Sequence, residues 1–184
     1  MPPKVSEEIR RRAQRIRLVL MDVDGVLTDG RYFHVPNPQG GLFEVKMFDS
    51  QDGIALQWLH RAGIRTGLIS GRDAESTRER ARSSHMVYCY MGNTEKLPIF
   101  REILADSGLS PEEIAYIGDD LTDAILMKRV GLAVAVANAT PEVKAIAHYV
   151  TAAPGGSGAV REATELILDA QGRWEEVLRH YEVI

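Results

Sequence analysis

The chain has 184 residues, 45% hydrophobic and 26% charged, with a formal net charge of −4 at pH 7. Those values fit one folded domain with a sizeable core and exclude disordered and fibrous classes. The acidic balance offers nucleic acid no general attraction, and no apolar run approaches membrane-spanning length.

The start, Met1-Pro2-Pro3-Lys4, lacks the apolar core of a secretory signal. One cysteine, Cys89, excludes an internal disulfide and a clustered cysteine metal site, and a cytoplasmic location is expected. Residues 6–17 read as a short helix whose arginines form a solvated face. A buried strand over about 17–22 follows, ending in Asp22-Val23-Asp24-Gly25-Val26-Leu27-Thr28-Asp29-Gly30. Segments 31–35 and 42–48 alternate in polarity around Pro36-Asn37-Pro38-Gln39-Gly40-Gly41. Phe43, Val45 and Met47 share one face and Glu44 and Lys46 the other, which predicts a β-hairpin. Its apolar face has two open destinations, its own domain or a second subunit.

Ile54, Ala55, Trp58, Leu59 and Ala62 have helical spacing, and Gly63 ends that helix. A strand over Thr66–Ser70, a polar helix near 73–83 and a short strand over Met86–Tyr90 come next. A helix spans about Leu97–Ser107, Ser110-Pro111-Glu112-Glu113 reads as a cap or single turn, and a strand covers Ile114–Ile117. Helix 122–129, strand Ala133–Val136, helix 141–147, strand Tyr149–Thr151 and helices over 159–169 and 173–181 complete the chain. Cys89 reads as buried and structural, and Trp58 as core. This alternation predicts an α/β fold: three layers, doubly wound, with a mostly parallel sheet between helices. No linker divides it. We expect a single domain over 1–184, a hairpin insertion near 31–48, a C-terminal helical tail near 155–184 and no cap domain.

Ligands of such sheets bind outside the carboxyl ends of the strands. Asp22 ends the first strand, Ser70 ends Thr66–Ile69, and Asp119-Asp120 follow Ile114–Ile117 after Gly118. Lys96 opens the helix after Met86–Tyr90. Asp22 and Asp24, two apart on an extended segment, project to one side. Carboxylates at an apolar edge call for a cation, and Asp119, Asp120 and Asp123 add the oxygen donors that magnesium prefers. Each feature alone also fits a turn, a helix cap or a surface lysine. Their order along the chain is what is specific.

In that order and spacing, Asp22-Val23-Asp24-Gly25-Val26, Ser70, Lys96 and Gly118-Asp119-Asp120-x-x-Asp123 resemble the four motifs of the haloacid dehalogenase superfamily. The resemblance implies that Asp22 is a nucleophile forming an aspartyl phosphate. Asp24 would be the acid for the leaving oxygen and then the base for water. Ser70 and Lys96 would hold the phosphoryl oxygens. It also implies Mg2+ held by Asp22, the Asp24 carbonyl and Asp119, with Asp120 and Asp123 supporting that set. With Asp52-Gly53 and Gly155-Gly156-Ser157-Gly158-Ala159-Val160-Arg161-Glu162, the chain further resembles the capless 3-deoxy-D-manno-octulosonate 8-phosphate phosphatase family.

That resemblance implies a homotetramer with shared active sites and a small phosphorylated sugar acid as substrate. It also implies a place in lipopolysaccharide precursor synthesis. Gln51, Gly71, Arg72 and Arg161 are the expected substrate contacts. Gln51 and Ser157 stand where that family often carries basic residues, so a nonulosonate 9-phosphate or another small sugar phosphate stays open as substrate. A phosphoaspartate receiver domain is a remote alternative, and a non-catalytic assembly protein a further one. No P-loop motif occurs.

Overall fold

The computed structural model describes residues 2–184. Six strands form one sheet: β1 (Leu18–Met21), β4 (Arg65–Ile69), β5 (Tyr88–Tyr90), β6 (Ile114–Gly118), β7 (Leu132–Ala135) and β8 (Tyr149–Val150). Their order is β5-β4-β1-β6-β7-β8, and every pairing is parallel. β1 is central because Leu18, Val19, Leu20 and Met21 are all buried, the unbroken apolar run of a strand covered on both faces.

The chain lays down β4 and β5 on one side of β1 and then β6, β7 and β8 on the other. The direction of winding therefore reverses at β1, which opens a crevice beyond its carboxyl end. Helices cover the faces: α1 (Glu7–Gln14), α2 (Ser50–Arg61), α3 (Glu75–Ser83), α4 (Lys96–Ser107), α5 (Leu121–Met127), α6 (Pro141–Ile146) and α7 (Ala159–Ala170). A last helix, α8 (Trp174–His180), docks through Trp174 and Tyr181, whose rings meet Trp58 edge-on at 5.5 and 6.2 Å. Trp58 is core, as expected.

Cys89 is not buried. β5 is a three-residue edge strand that turns Tyr88 inward, and the alternation leaves the thiol exposed. The hairpin forms as anticipated from β2 (Tyr32–Pro36) and β3 (Leu42–Lys46), an antiparallel pair separate from the main sheet. Its faces are inverted relative to a hairpin packed on its own core. The Glu44–Lys46 face turns toward the crevice, while Phe33, Phe43 and Met47 are 53%, 44% and 75% exposed. No helix among the described residues is long and apolar enough to cross a membrane.

Candidate active site

The loop after β1 is wound tightly on itself. The Val23 carbonyl accepts from the amides of Val26, Leu27 and Thr28, and Thr28 Oγ1 accepts from Gly25 and Gly30. The Asp22 amide donates to the Ile117 carbonyl at 3.0 Å, which ties its Cα to β6. Gly25 has φ +94°, and a Cβ there would overlap the Asp119 carboxylate. Glycine therefore lets the loops after β1 and β6 touch.

Behind the loop, Asn138 Nδ2 donates to the Gly25 carbonyl at 3.0 Å while its Oδ1 accepts from the Gly155 amide at 2.6 Å. Gly155 lies flat against Gly25, where any side chain would collide with the Gly25 carbonyl. The Asp52 carboxylate caps α7, accepting from the Arg161 amide at 2.8 Å and the Gly158 amide at 3.4 Å. The glycine-rich segment before α7 thus braces the loop after β1.

At the carboxyl ends of β1 and β6, one oxygen each of Asp22, Asp119 and Asp123 lie within 4.8 Å of one another. Lys96 Nζ sits 2.9 Å from Asp22 and 2.6 Å from Asp123. Three carboxylates against one ammonium leave an excess of two negative charges, which a divalent cation would balance. Burial first, and then Asp123, push the Asp22 carboxyl up to about 6 against the pull of Lys96. Burial, followed by Asp22 and Asp123, pushes Asp119 up to about 7. Burial alone would lower the Lys96 ammonium, but Asp22 and Asp123 outweigh it and hold its pKa above the usual lysine value.

Hydrogen bonding separates the three aspartates. Asp123 Oδ1 accepts from Lys96 and from the Tyr116 hydroxyl at 2.7 Å. Its Oδ2 accepts from the Asp119 and Asp120 amides at 3.0 and 3.3 Å. Its acceptor capacity is therefore used within the protein. Asp119 Oδ1, by contrast, is buried with no hydrogen-bond partner. A buried carboxylate oxygen with free lone pairs, beside Asp22 in an all-oxygen donor set, fits a hard divalent cation. Asp120 caps α5 by accepting from the Leu121 amide at 2.7 Å.

A cavity of about 210 Å³ opens over these groups, lined by Asp22, Asp24, Gly71, Arg72, Thr94, Lys96, Asp119, Asp120 and Thr122. Ser70 is fully buried at the end of β4, where its Oγ accepts from the Arg72 amide at 3.1 Å. The sequence-assigned Asp22, Asp24, Lys96, Asp119, Asp120, Gly71 and Arg72 are thus gathered at one cavity. Ser70 and Asp123, both buried, do not line it, and neither do Gln51 and Arg161. Gln51 Oε1 stands 3.5 Å from Arg161 Nη1, and the Arg161 guanidinium lies 4.9 Å from the Trp58 ring centre.

Lys46, Glu44, Tyr116, Asn138, Thr94 and Thr122 are not assigned to the site from the sequence. Lys46 Nζ donates to Asp24 Oδ2 at 2.8 Å, lies 2.7 Å from Asp24 Oδ1 as an ion-pair contact, and lies 3.3 Å from Glu44. Glu44 continues to Arg72 at 3.0 Å, and Arg72 reaches the Tyr32 hydroxyl at 2.5 Å. The signal available was the alternation that places Glu44 and Lys46 on one hairpin face.

Residues 82–161 match the model of the haloacid dehalogenase-like hydrolase family. A 3-deoxy-D-manno-octulosonate 8-phosphate phosphatase from Yersinia pestis is 43% identical over 93% of this chain and 89% of its own length. A probable YrbI family phosphatase from Pseudomonas syringae superposes with a TM-score of 0.90 at 41% identity, covering 96% of this chain and 98% of that one. The 3-deoxy-D-manno-octulosonate 8-phosphate phosphatase of Moraxella catarrhalis, solved with magnesium, phosphate and the sugar acid, superposes with a TM-score of 0.90. It is 35% identical and covers 96% of this chain and 99% of its own. The chain belongs to the 3-deoxy-D-manno-octulosonate 8-phosphate phosphatase family of haloacid dehalogenase-like hydrolases.

Proposed function

We propose that this magnesium-dependent phosphatase hydrolyses 3-deoxy-D-manno-octulosonate 8-phosphate to the sugar acid and phosphate, through an aspartyl phosphate on Asp22. One observation carries the reading: Asp22, Asp119 and Lys96 converge at the carboxyl end of β1 with Asp24 lining the same cavity. The identities of 35–43% with phosphatases named for that substrate supply the substrate class.

Asp22 attacks phosphorus as the leaving oxygen departs, and Asp24 gives that oxygen its proton. Asp24 then takes a proton from the water that cleaves the acyl phosphate. Lys96 and Ser70 hold the phosphoryl oxygens where negative charge spreads. Asp22, Asp119 and the Asp24 carbonyl would hold magnesium, while Asp123 and Asp120 fix the loop that presents Asp119. When bound, the ion supplies the charge that lets a carboxylate approach a phosphate dianion.

The proposed assembly is a homotetramer with shared sites. The outward apolar face of the hairpin supports it, because Phe33, Phe43 and Met47 form a surface that water disfavours. In that arrangement Gln51, Gly71, Arg72 and Arg161 serve the sugar acid, with the C-terminal tail that carries Arg161 reaching a neighbouring subunit's site. The setting is cytoplasmic, in keeping with a single unpaired thiol, and the product enters lipopolysaccharide precursor synthesis.

Phosphate release across a panel of sugar phosphates and eight- and nine-carbon sugar acid phosphates tests the substrate. The eight-carbon acid is expected to give the highest kcat/KM. Preference for a nine-carbon acid would follow if neutral Gln51 has changed specificity, and preference for a neutral hexose phosphate would overturn the assignment.

A further inference from the structure

Lys46 is the one hairpin residue whose side chain is wholly inaccessible, although most of β2 and β3 is exposed. A lysine with no exposed side-chain surface must have its charge compensated. The structure supplies two carboxylates, Asp24 on one side and Glu44 on the other. Of these, Asp24 belongs to the cavity and Glu44 to the hairpin. Both Asp24 oxygens lie within 2.8 Å of the ammonium, so its rotation about Cβ–Cγ is fixed. Glu44 is held in turn by Arg72 at 3.0 Å.

We propose that Lys46 is a positioning residue for proton donation by Asp24. This inference rests on the acid role given to Asp24 above. As the bond from phosphorus to the leaving oxygen breaks and the bond from Asp22 forms, the proton passes from the Asp24 carboxyl to the leaving oxygen. Asp24 is left as a carboxylate. Lys46 faces that carboxylate as it forms and holds its plane fixed at the edge of the cavity. Glu44 compensates the ammonium while Asp24 carries the proton. The hairpin therefore does more than shape an outer surface: it delivers the group that orients the acid.

The test compares two leaving groups. A primary sugar alcohol departs only with a proton, whereas p-nitrophenolate departs without one, so acid catalysis matters for the first and little for the second. kcat/KM reports phosphoryl transfer to the enzyme. Lys46→Met is expected to lower kcat/KM for 3-deoxy-D-manno-octulosonate 8-phosphate by about 10²-fold, with p-nitrophenyl phosphate changed by less than about 3-fold. Lys46→Arg, which retains charge, is expected to show a smaller loss confined to the sugar substrate. It carries the test if the methionine variant does not fold. Equal losses on both substrates, or no loss on either, would overturn the proposal. Asp24→Asn runs alongside. If that variant also loses both activities equally, the acid assignment itself is wrong. If Asp24→Asn discriminates and the Lys46 variants do not, only the role of Lys46 falls.

Discussion

Lys96 and Asp123 form an ion pair at 2.6 Å whose side chains are only 2% and 0% exposed. One comes from the first residue of α4 and the other from α5, so the pair joins two helices beneath the cavity. Tyr116 completes it from β6, with its hydroxyl 2.7 Å from the same Asp123 oxygen. Burial, and then the charge of Asp123, hold the Tyr116 phenol well above its usual pKa, so it remains a donor.

Removing Lys96 should therefore harm folding as well as catalysis. Lys96→Met leaves Asp22 and Asp123 without their cation and is expected to cost about 3 kcal/mol, as when one partner of a buried pair is lost. Magnesium should return part of that by binding only the folded state. Urea unfolding with and without magnesium measures both; equal midpoints for variant and wild type would refute the buried-pair account.

Gly155→Ala probes the brace behind the catalytic loop. The new methyl group would collide with the Gly25 carbonyl and push apart two backbones that Asn138 now bridges. Turnover is expected to fall at least about tenfold, since sub-ångström displacement of reacting groups is costly. Magnesium affinity should weaken as well. Normal turnover with normal magnesium titration would show that the brace is slack.

Burial pushes the Asp52 carboxyl up to about 6, only partly offset by the bond from the Arg161 amide. A folded-state pKa above the unfolded value makes protonation favour folding. That contribution is fully present below the unfolded value, near 4, and is lost as pH rises through about 6. Asp52→Asn keeps an oxygen for the Arg161 amide, gives up the long bond from the Gly158 amide and removes the buried charge. Its stability relative to wild type should therefore rise between pH 4 and pH 7, in unfolding measured at fixed protein concentration. Asp52→Ala, which loses the cap as well as the charge, should lie below Asp52→Asn by about 1 kcal/mol at either pH. A flat difference between Asn variant and wild type would contradict the buried-carboxylate reading.

Phe33→Glu places a charge on the outward face of the hairpin, opposite Val45. Sedimentation should give a tetramer for the wild type and smaller species for the variant, with kcat/KM for the sugar acid falling as the shared sites separate. A wild-type monomer at micromolar concentration would end the shared-site model.

Much of this was legible in the sequence because it is local. Asp22 and Asp24 directly follow a four-residue apolar strand, and Gly118-Asp119-Asp120 directly follow another, so strand ends located the carboxylates. Helix bounds were close wherever glycine ended them, as at Gly63 and Gly108, both with positive φ. What escaped depends on pairing across distance. Lys46 reaches Asp24 from 22 positions away, and Asn138 reaches Gly25 from 113. Alternation defined the hairpin's two faces but not which of them meets the domain. The buried Lys46–Asp24 pair goes with the face that meets the domain, an interaction formed only once the hairpin folds over the loop after β1. Cys89 was misread because three apolar-flanked residues look alike at the centre of a sheet and at its edge.

The central claim is that Asp22 becomes phosphorylated. Acid-quenching a single turnover and reducing any acyl phosphate with borohydride converts a phosphorylated aspartate to homoserine, which peptide mass spectrometry locates. The account predicts homoserine at position 22 alone, absent from Asp22→Asn, whose turnover should fall by roughly 10⁴-fold or more with its fold retained, the scale of deleting a nucleophile. Homoserine at Asp24 or Asp119, or none during normal turnover, would contradict it.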